Sequence, residues 1–272
     1  MHSLVTAEWL AQHLDEVVVI DGSYYLATMG KNADEEFRRA HIPGALRWDI
    51  DAVADKSSDL KHMMPSADVV ARAAGEHGIG KDTPVVVYDQ LGMFSAARVW
   101  LTLKTIGHEK LALLDGGLPC WQGPTASGDA APVEAVEYKP FESTALTVDR
   151  HTVLAALNAA DTFILDARAA ARFNAAAPEP VAGLVGGHMP GALNIPYDQL
   201  LEADGRFKRI ATLQQIFTQL GVSGDEKIIT SCGSGVTASI VTFALALLGV
   251  ESKVYDGSWS EWGRPALALP VV

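Results

Sequence analysis

The apolar positions of this chain fall into two alternating kinds of run. Short β-branched runs, VVVID at 17–21, PVVVYD at 84–89 and LALLDG at 111–116, have strand length and strand composition. Between them, TAEWLAQHL at 6–14, SADVVARAAGEHG at 66–78 and SAARVWLTLKTIG at 95–107 carry apolar residues at helical spacing. The alternation then returns. FILDA at 163–167, KIITS at 227–231 and KVYDG at 253–257 predict strands, and TVLAALNAA at 152–160, TLQQIFTQLG at 212–221 and TASIVTFALALLG at 237–249 predict helices. Short strands separated by helices imply an α/β fold, with a mainly parallel sheet flanked by helices on both faces.

The residues repeat as well as the pattern. Asp21 in VVVID faces Asp166 in FILDA, and RRAHIPGAL at 38–46 matches VGGHMPGAL at 185–193, with His41 opposite His188. TPVVVYDQLGMFSAARVW from 83 matches EKIITSCGSGVTASIVTF from 226, and LLDGGLPCW at 113–121 matches VYDGSWSEW at 254–262. Between the halves, QGPTASGDAAPVEAVEYKPFEST is rich in Pro, Ala, Gly and acidic residues without periodicity, which is linker chemistry. Two tandem domains are expected, 1–122 and 146–272, joined by a linker over 123–145.

Composition narrows the chemistry. The chain has 272 residues, 49% of them hydrophobic, and a net charge of -12. That charge repels nucleic acid and anionic membrane, so small molecules are the expected partners. No apolar run approaches the ~20 residues of a membrane span, and the N-terminus lacks a signal-peptide pattern. Two cysteines, Cys120 and Cys232, cannot build a disulfide framework, which points to a reducing, cytoplasmic setting. No HxxEH, CxxC or GxxxxGK[ST] spacing occurs, so neither metal nor cofactor is expected.

Cys232 closes a predicted strand, and a glycine-rich turn leads from it into a helix beginning near Thr237. Ligands of open α/β sheets sit beyond such strand ends. Gly233 and Gly235 let successive amides from 232 to 238, including those of Val236 and Thr237, converge on one point at the helix N-terminus, where negative charge is favoured. A thiolate or an anionic persulfide sulfur is stabilised there. A lone cysteine after a strand is more often a small buried hydrophobe; the glycine-flanked, helix-opening context reverses that. In the first half Gln90 stands opposite Cys232, so only the second domain is expected to be catalytic.

With the tandem repeat, CGSGVTA, the HxPGA motifs and the closing DGGLPCW and DGSWSEW, the chain resembles the two-domain rhodanese-fold sulfurtransferases over essentially its whole length. Gly and Ser after the cysteine, where thiosulfate-using members carry Arg and Lys, place the resemblance on the mercaptopyruvate-using branch. The resemblance implies that Cys232 takes sulfur from 3-mercaptopyruvate as a persulfide, releases pyruvate, and passes the sulfur to a thiol acceptor such as thioredoxin, or to cyanide. It also implies a relay of Ser234, His62 and Asp51 as proton source, and Arg172 as carboxylate ligand. A second arginine of the branch, after PEP, is Val181 here. The rival readings are a thiosulfate:cyanide sulfurtransferase and a non-enzymatic persulfide carrier or binding scaffold. A phosphatase of related fold would need an Arg where Ala238 stands. His41, His188, Trp121 and Trp262 recur in both halves and are expected to serve the fold.

Overall fold

The computed structural model describes residues 1–140 and 145–272, so 141–144 of the expected linker lie outside the described residues. The chain divides into two compact units. In the first, five parallel strands, β1 (Leu4–Val5), β2 (Val18–Asp21), β3 (Leu46–Arg47), β4 (Val85–Tyr88) and β5 (Leu111–Leu114), run in the order β1-β5-β4-β2-β3. Its helices are α1 (Ala7–Gln12), α2 (Ala33–Arg39), α3 (Ala67–Glu76) and α4 (Ala96–Thr105). In the second, β6 (Thr147–Val148), β7 (Thr162–Asp166), β8 (Leu193–Asn194), β9 (Lys227–Ser231) and β10 (Lys253–Tyr255) take the equivalent order β6-β10-β9-β7-β8, all parallel. They are accompanied by α5 (Arg150–Ala156), α6 (Ala170–Phe173), α7 (Ile210–Gln219), α8 (Ala238–Leu247) and α9 (Ser258–Trp262).

The expected strands form the middle of each sheet, and β4 is buried at every position, as a strand covered on both faces must be. The two-residue strands β1, β3, β6 and β8 were beyond pattern reading, because two residues show no period. The repeated histidines serve the fold. His41 stacks on Phe37 at 4.1 Å and His188 on Phe173 at 3.8 Å, and their Nδ1 atoms lie 2.8 and 3.0 Å from the carbonyls of those same phenylalanines. Trp121 and Trp262 each donate an indole N–H, at 2.9 Å, to the carbonyls of Pro124 and Pro270.

The described part of the expected linker is irregular but tied down. Ala126 bridges His41, and the Val136 N–H donates to the Gly75 carbonyl at 3.0 Å. Gly75 itself has no room for a side chain, since a Cβ there would lie 2.2 Å from the Val136 carbonyl oxygen.

The units also depart from a simple halving of the chain. Residues 57–64 count with the second unit and residues 203–207 with the first, so each unit takes in a short strap from the other half of the sequence. Among the described residues no helix is long and apolar enough to cross a membrane.

Candidate active site

Cys232 stands one residue beyond β9 and is 2% exposed. Its N–H donates to Ser258 Oγ at 3.2 Å, and Ser258 Oγ donates to the Tyr255 carbonyl at 2.8 Å. The Cys232 and Gly233 carbonyls accept from the backbone of Trp259 and Ser260 in α9, at 3.0 and 2.8 Å, with a further bond from Ser260 Oγ at 2.7 Å. The loop is therefore held from the α9 side, and the Cys232 amide, expected to join the inward-facing set, is spent on Ser258. Gly235 adopts φ 77° and its carbonyl accepts from Ser239 Oγ at 2.9 Å. Buried Val236 and half-buried Thr237 accept, through their carbonyls, the first turn of α8.

His62 comes to this loop on the 57–64 strap, within the second unit, with Nδ1 3.0 Å from Ser234 Oγ. It is 4% exposed and holds φ 62°, a left-handed conformation that L side chains rarely adopt. Asp51 belongs to the first unit, where its N–H donates to Asp49 Oδ1 at 2.8 Å.

Arg172, in α6, stands beside the loop; a Cβ on Gly233 would lie 3.2 Å from its Nη2. Its Nε donates to Glu179 Oε2 at 3.2 Å. Glu179 also accepts from Arg168 Nη1 at 2.8 Å, and Arg168 in turn grips Asp166 and lies 4.0 Å over the Trp259 ring. Two guanidiniums and two carboxylates thus form a buried chain with Arg172 at its more exposed end. Glu179 was not singled out in the sequence, though an acid seven residues after Arg172 in ARFNAAAPEPV was the available signal. Val181 is 55% exposed and adds no charge.

One expectation is corrected. Val87 pairs with Ile20 and Leu113, and Thr230 pairs with Leu165 and Val254. Those flanking residues are equivalent in the repeat, so Asp89, not Gln90, answers to Cys232. The carbonyls agree: Leu118 N–H donates to Asp89 O at 2.9 Å as Trp259 N–H does to Cys232 O. The first loop is one residue longer, since 96 minus 89 is seven and 238 minus 232 is six, counted to the starts of α4 and α8. A match without gaps follows the helices and misplaces the strand end by that residue. Gln90 instead donates through Nε2 to Asp21 Oδ2 at 2.9 Å and the Ala40 carbonyl at 3.0 Å.

Asp89 fills its own loop. Oδ1 accepts from Leu91 N–H at 2.9 Å, and Oδ2 from Phe94, Ser95 and Ala96 at 2.8, 2.8 and 2.9 Å. Burial pushes the carboxyl up from its ordinary range, while those amides pull it down. In the second loop, no carboxylate among the described residues accepts from the backbone of 233–238.

The chain is similar to known proteins along nearly its whole length. A rhodanese-like domain model matches residues 6–124 and again 149–265. The chain is similar to the 3-mercaptopyruvate sulfurtransferase of Escherichia coli K12, 44% identical across 98% of this chain and 96% of the relative. It is also similar to the human protein of that name, at 36% across 96% and 91%. Among solved structures, SseA from Escherichia coli, reported with the rhodanese fold and catalytic mechanism of 3-mercaptopyruvate sulfotransferases, superposes with a TM-score of 0.82. It is 41% identical, with 96% of this chain and 100% of that one covered. Tum1 from Saccharomyces cerevisiae gives 0.87 at 29% identity, covering 96% and 94%.

Proposed function

The chain belongs to the rhodanese-like sulfurtransferases, and from that premise we propose that it carries sulfur from 3-mercaptopyruvate, through a persulfide on Cys232, to a thiol acceptor. One observation carries the reading: a nucleophile-bearing loop that no internal carboxylate fills, with His62 Nδ1 at 3.0 Å from Ser234 Oγ two residues after the cysteine.

The Cys232 thiolate attacks the substrate sulfur, an S–S bond forms, and the C–S bond breaks with its electron pair passing to carbon as the pyruvate enolate. Ser234, polarised by His62, supplies the proton that turns the enolate into pyruvate. Asp51 enters this relay through the family resemblance alone. The loop amides of Gly233, Gly235, Val236 and Thr237 stabilise the anionic outer sulfur. An acceptor thiolate, such as that of thioredoxin, or cyanide then attacks that sulfur and returns Cys232 as thiolate. Arg172 takes the substrate carboxylate, with its charge shared by Glu179. A cytoplasmic setting fits two free cysteines.

Val181, where the branch has a second arginine, is the observation that favours thiosulfate as the rival donor. Sulfur transfer measured with each donor in wild type, Cys232→Ser and Ser234→Ala decides between them. Loss of all transfer in Cys232→Ser, and loss confined to mercaptopyruvate in Ser234→Ala, are expected; retained transfer in Cys232→Ser would sink the persulfide route. Val181→Arg should lower KM for mercaptopyruvate about tenfold, the worth of one charge-assisted hydrogen bond.

A further inference from the structure

His62 occupies a backbone conformation that costs free energy, on a strap without regular structure, yet it must meet Ser234 within hydrogen-bond distance. Something must hold it there. The Met64 N–H, two residues on, donates to Asp256 Oδ2 at 2.6 Å. Asp256 is 6% exposed and directly follows β10, two residues before the start of α9, the helix that holds the Cys232 loop. At the other end of the strap, Arg264 Nη1 lies 2.6 Å from Asp59 Oδ2.

The first unit carries the same device. Its strap, 203–207, is fastened by Phe207 N–H donating to Asp115 Oδ1 at 2.8 Å. Asp115 is the counterpart of Asp256 in the repeat. Phe207 and Met64 each lie three residues before their helices, α7 and α3. Two residues before Phe207 stands Gly205 at φ 86°, so the left-handed turn belongs to the strap itself. In the first unit a glycine meets it freely, and in the second a histidine is forced into it.

We propose that Asp256 is a positioning residue for His62: by capturing the Met64 amide it holds the strap in the left-handed turn that brings the imidazole to Ser234. The role rests on the relay put forward above. Asp256 acts through the histidine, by way of the Met64 amide. The Arg264–Asp59 pair is a weaker second fastening, since Asp59 is largely exposed.

The test is a cycle of Asp256→Ala with His62→Ala, read as single-turnover pyruvate release from mercaptopyruvate. Asp256→Ala should lower kcat about tenfold with KM unchanged, and cost nothing further in the His62→Ala background. Asp256→Asn, which keeps an acceptor oxygen, should retain activity within about threefold, and Arg264→Ala within about twofold. Hydrogen exchange at the Met64 amide reads the clasp apart from the chemistry and should quicken at least about tenfold in Asp256→Ala. Additive losses in the cycle, or unchanged exchange, would overturn the assignment. Full activity in His62→Ala would instead overturn the relay, leaving the clasp to be judged by exchange.

Discussion

Two loops in this molecule descend from one plan and end differently. The first places Asp89 at the strand end and gives four backbone N–H groups to its carboxylate; the second places Cys232 there. The difference extends to the backbone. Gly117 at φ 56° answers to Ser258 at φ 48°, and Gly205 at φ 86° answers to His62 at φ 62°. At both left-handed positions the first unit has the residue that relaxes the chain. The second has a side chain that bonds the active-site loop, Ser258 through the Cys232 amide and His62 through Ser234. Strain that one copy avoids and the other tolerates marks what sulfur chemistry demands beyond the fold.

The comparison can be broken hardest at the nucleophile. Cys232→Asp should abolish pyruvate release, more than about a thousandfold, because no sulfur nucleophile remains. It should nevertheless unfold in urea at least as late as Cys232→Ser, because the loop amides would grip the carboxylate as they do at Asp89. A Cys232→Asp protein about 1 kcal/mol less stable than Cys232→Ser would show that the loops are not equivalent cradles. Next, Asp89→Asn turns an NH2 group toward amide donors and should cost about 2 kcal/mol in urea unfolding; no loss would mean the carboxylate does not organise that loop.

A smaller effect belongs to the straps. His62→Gly and His62→Ala should lose activity alike, but the glycine variant should be more stable by about 1 kcal/mol, and Gly205→Ala should be destabilised by a similar amount. Equal stability of the two His62 variants would remove the strain argument. The smallest expected effect concerns the cysteine of the first unit. Burial, and then the Asp204 carboxylate, push the Cys120 thiol up, so its thiolate forms at higher pH than that of an ordinary cysteine. Its alkylation should therefore lag at neutral pH, and Asp204→Asn should move the profile slightly toward lower pH; a profile matching free cysteine would contradict this.

The parts of the fold that were legible in the sequence are those with period and length: the middle strands, the long helices and the duplicated order. Cys232 and the glycines were singled out from the residues themselves, because a strand-turn-helix with glycines constrains what the loop can do, whereas Ser234 entered by resemblance. Equivalence across the loops was misread by one residue because strands and helices are offset differently in the two copies, 230 minus 87 being 143 and 238 minus 96 being 142. Only strand register exposes that. His62 reached the site by resemblance, since nothing local in KHMMP specifies a left-handed turn. Asp256 acts by pairing with an amide 192 residues away, and a single chain read in order carries no sign of such a partner; Glu179 pairs with arginines 11 and 7 residues before it, near enough in the chain to be noticed.

The exchanged straps also bear on how the chain is made. Synthesis delivers the first half before the second, yet the Asp115 carboxylate finds its Phe207 amide only after residue 207 has left the ribosome. The first unit therefore waits, one fastening short, until most of the second has been translated. A fragment cut at the apparent boundary near residue 122 would lose that fastening altogether, and the complementary fragment would lose His62.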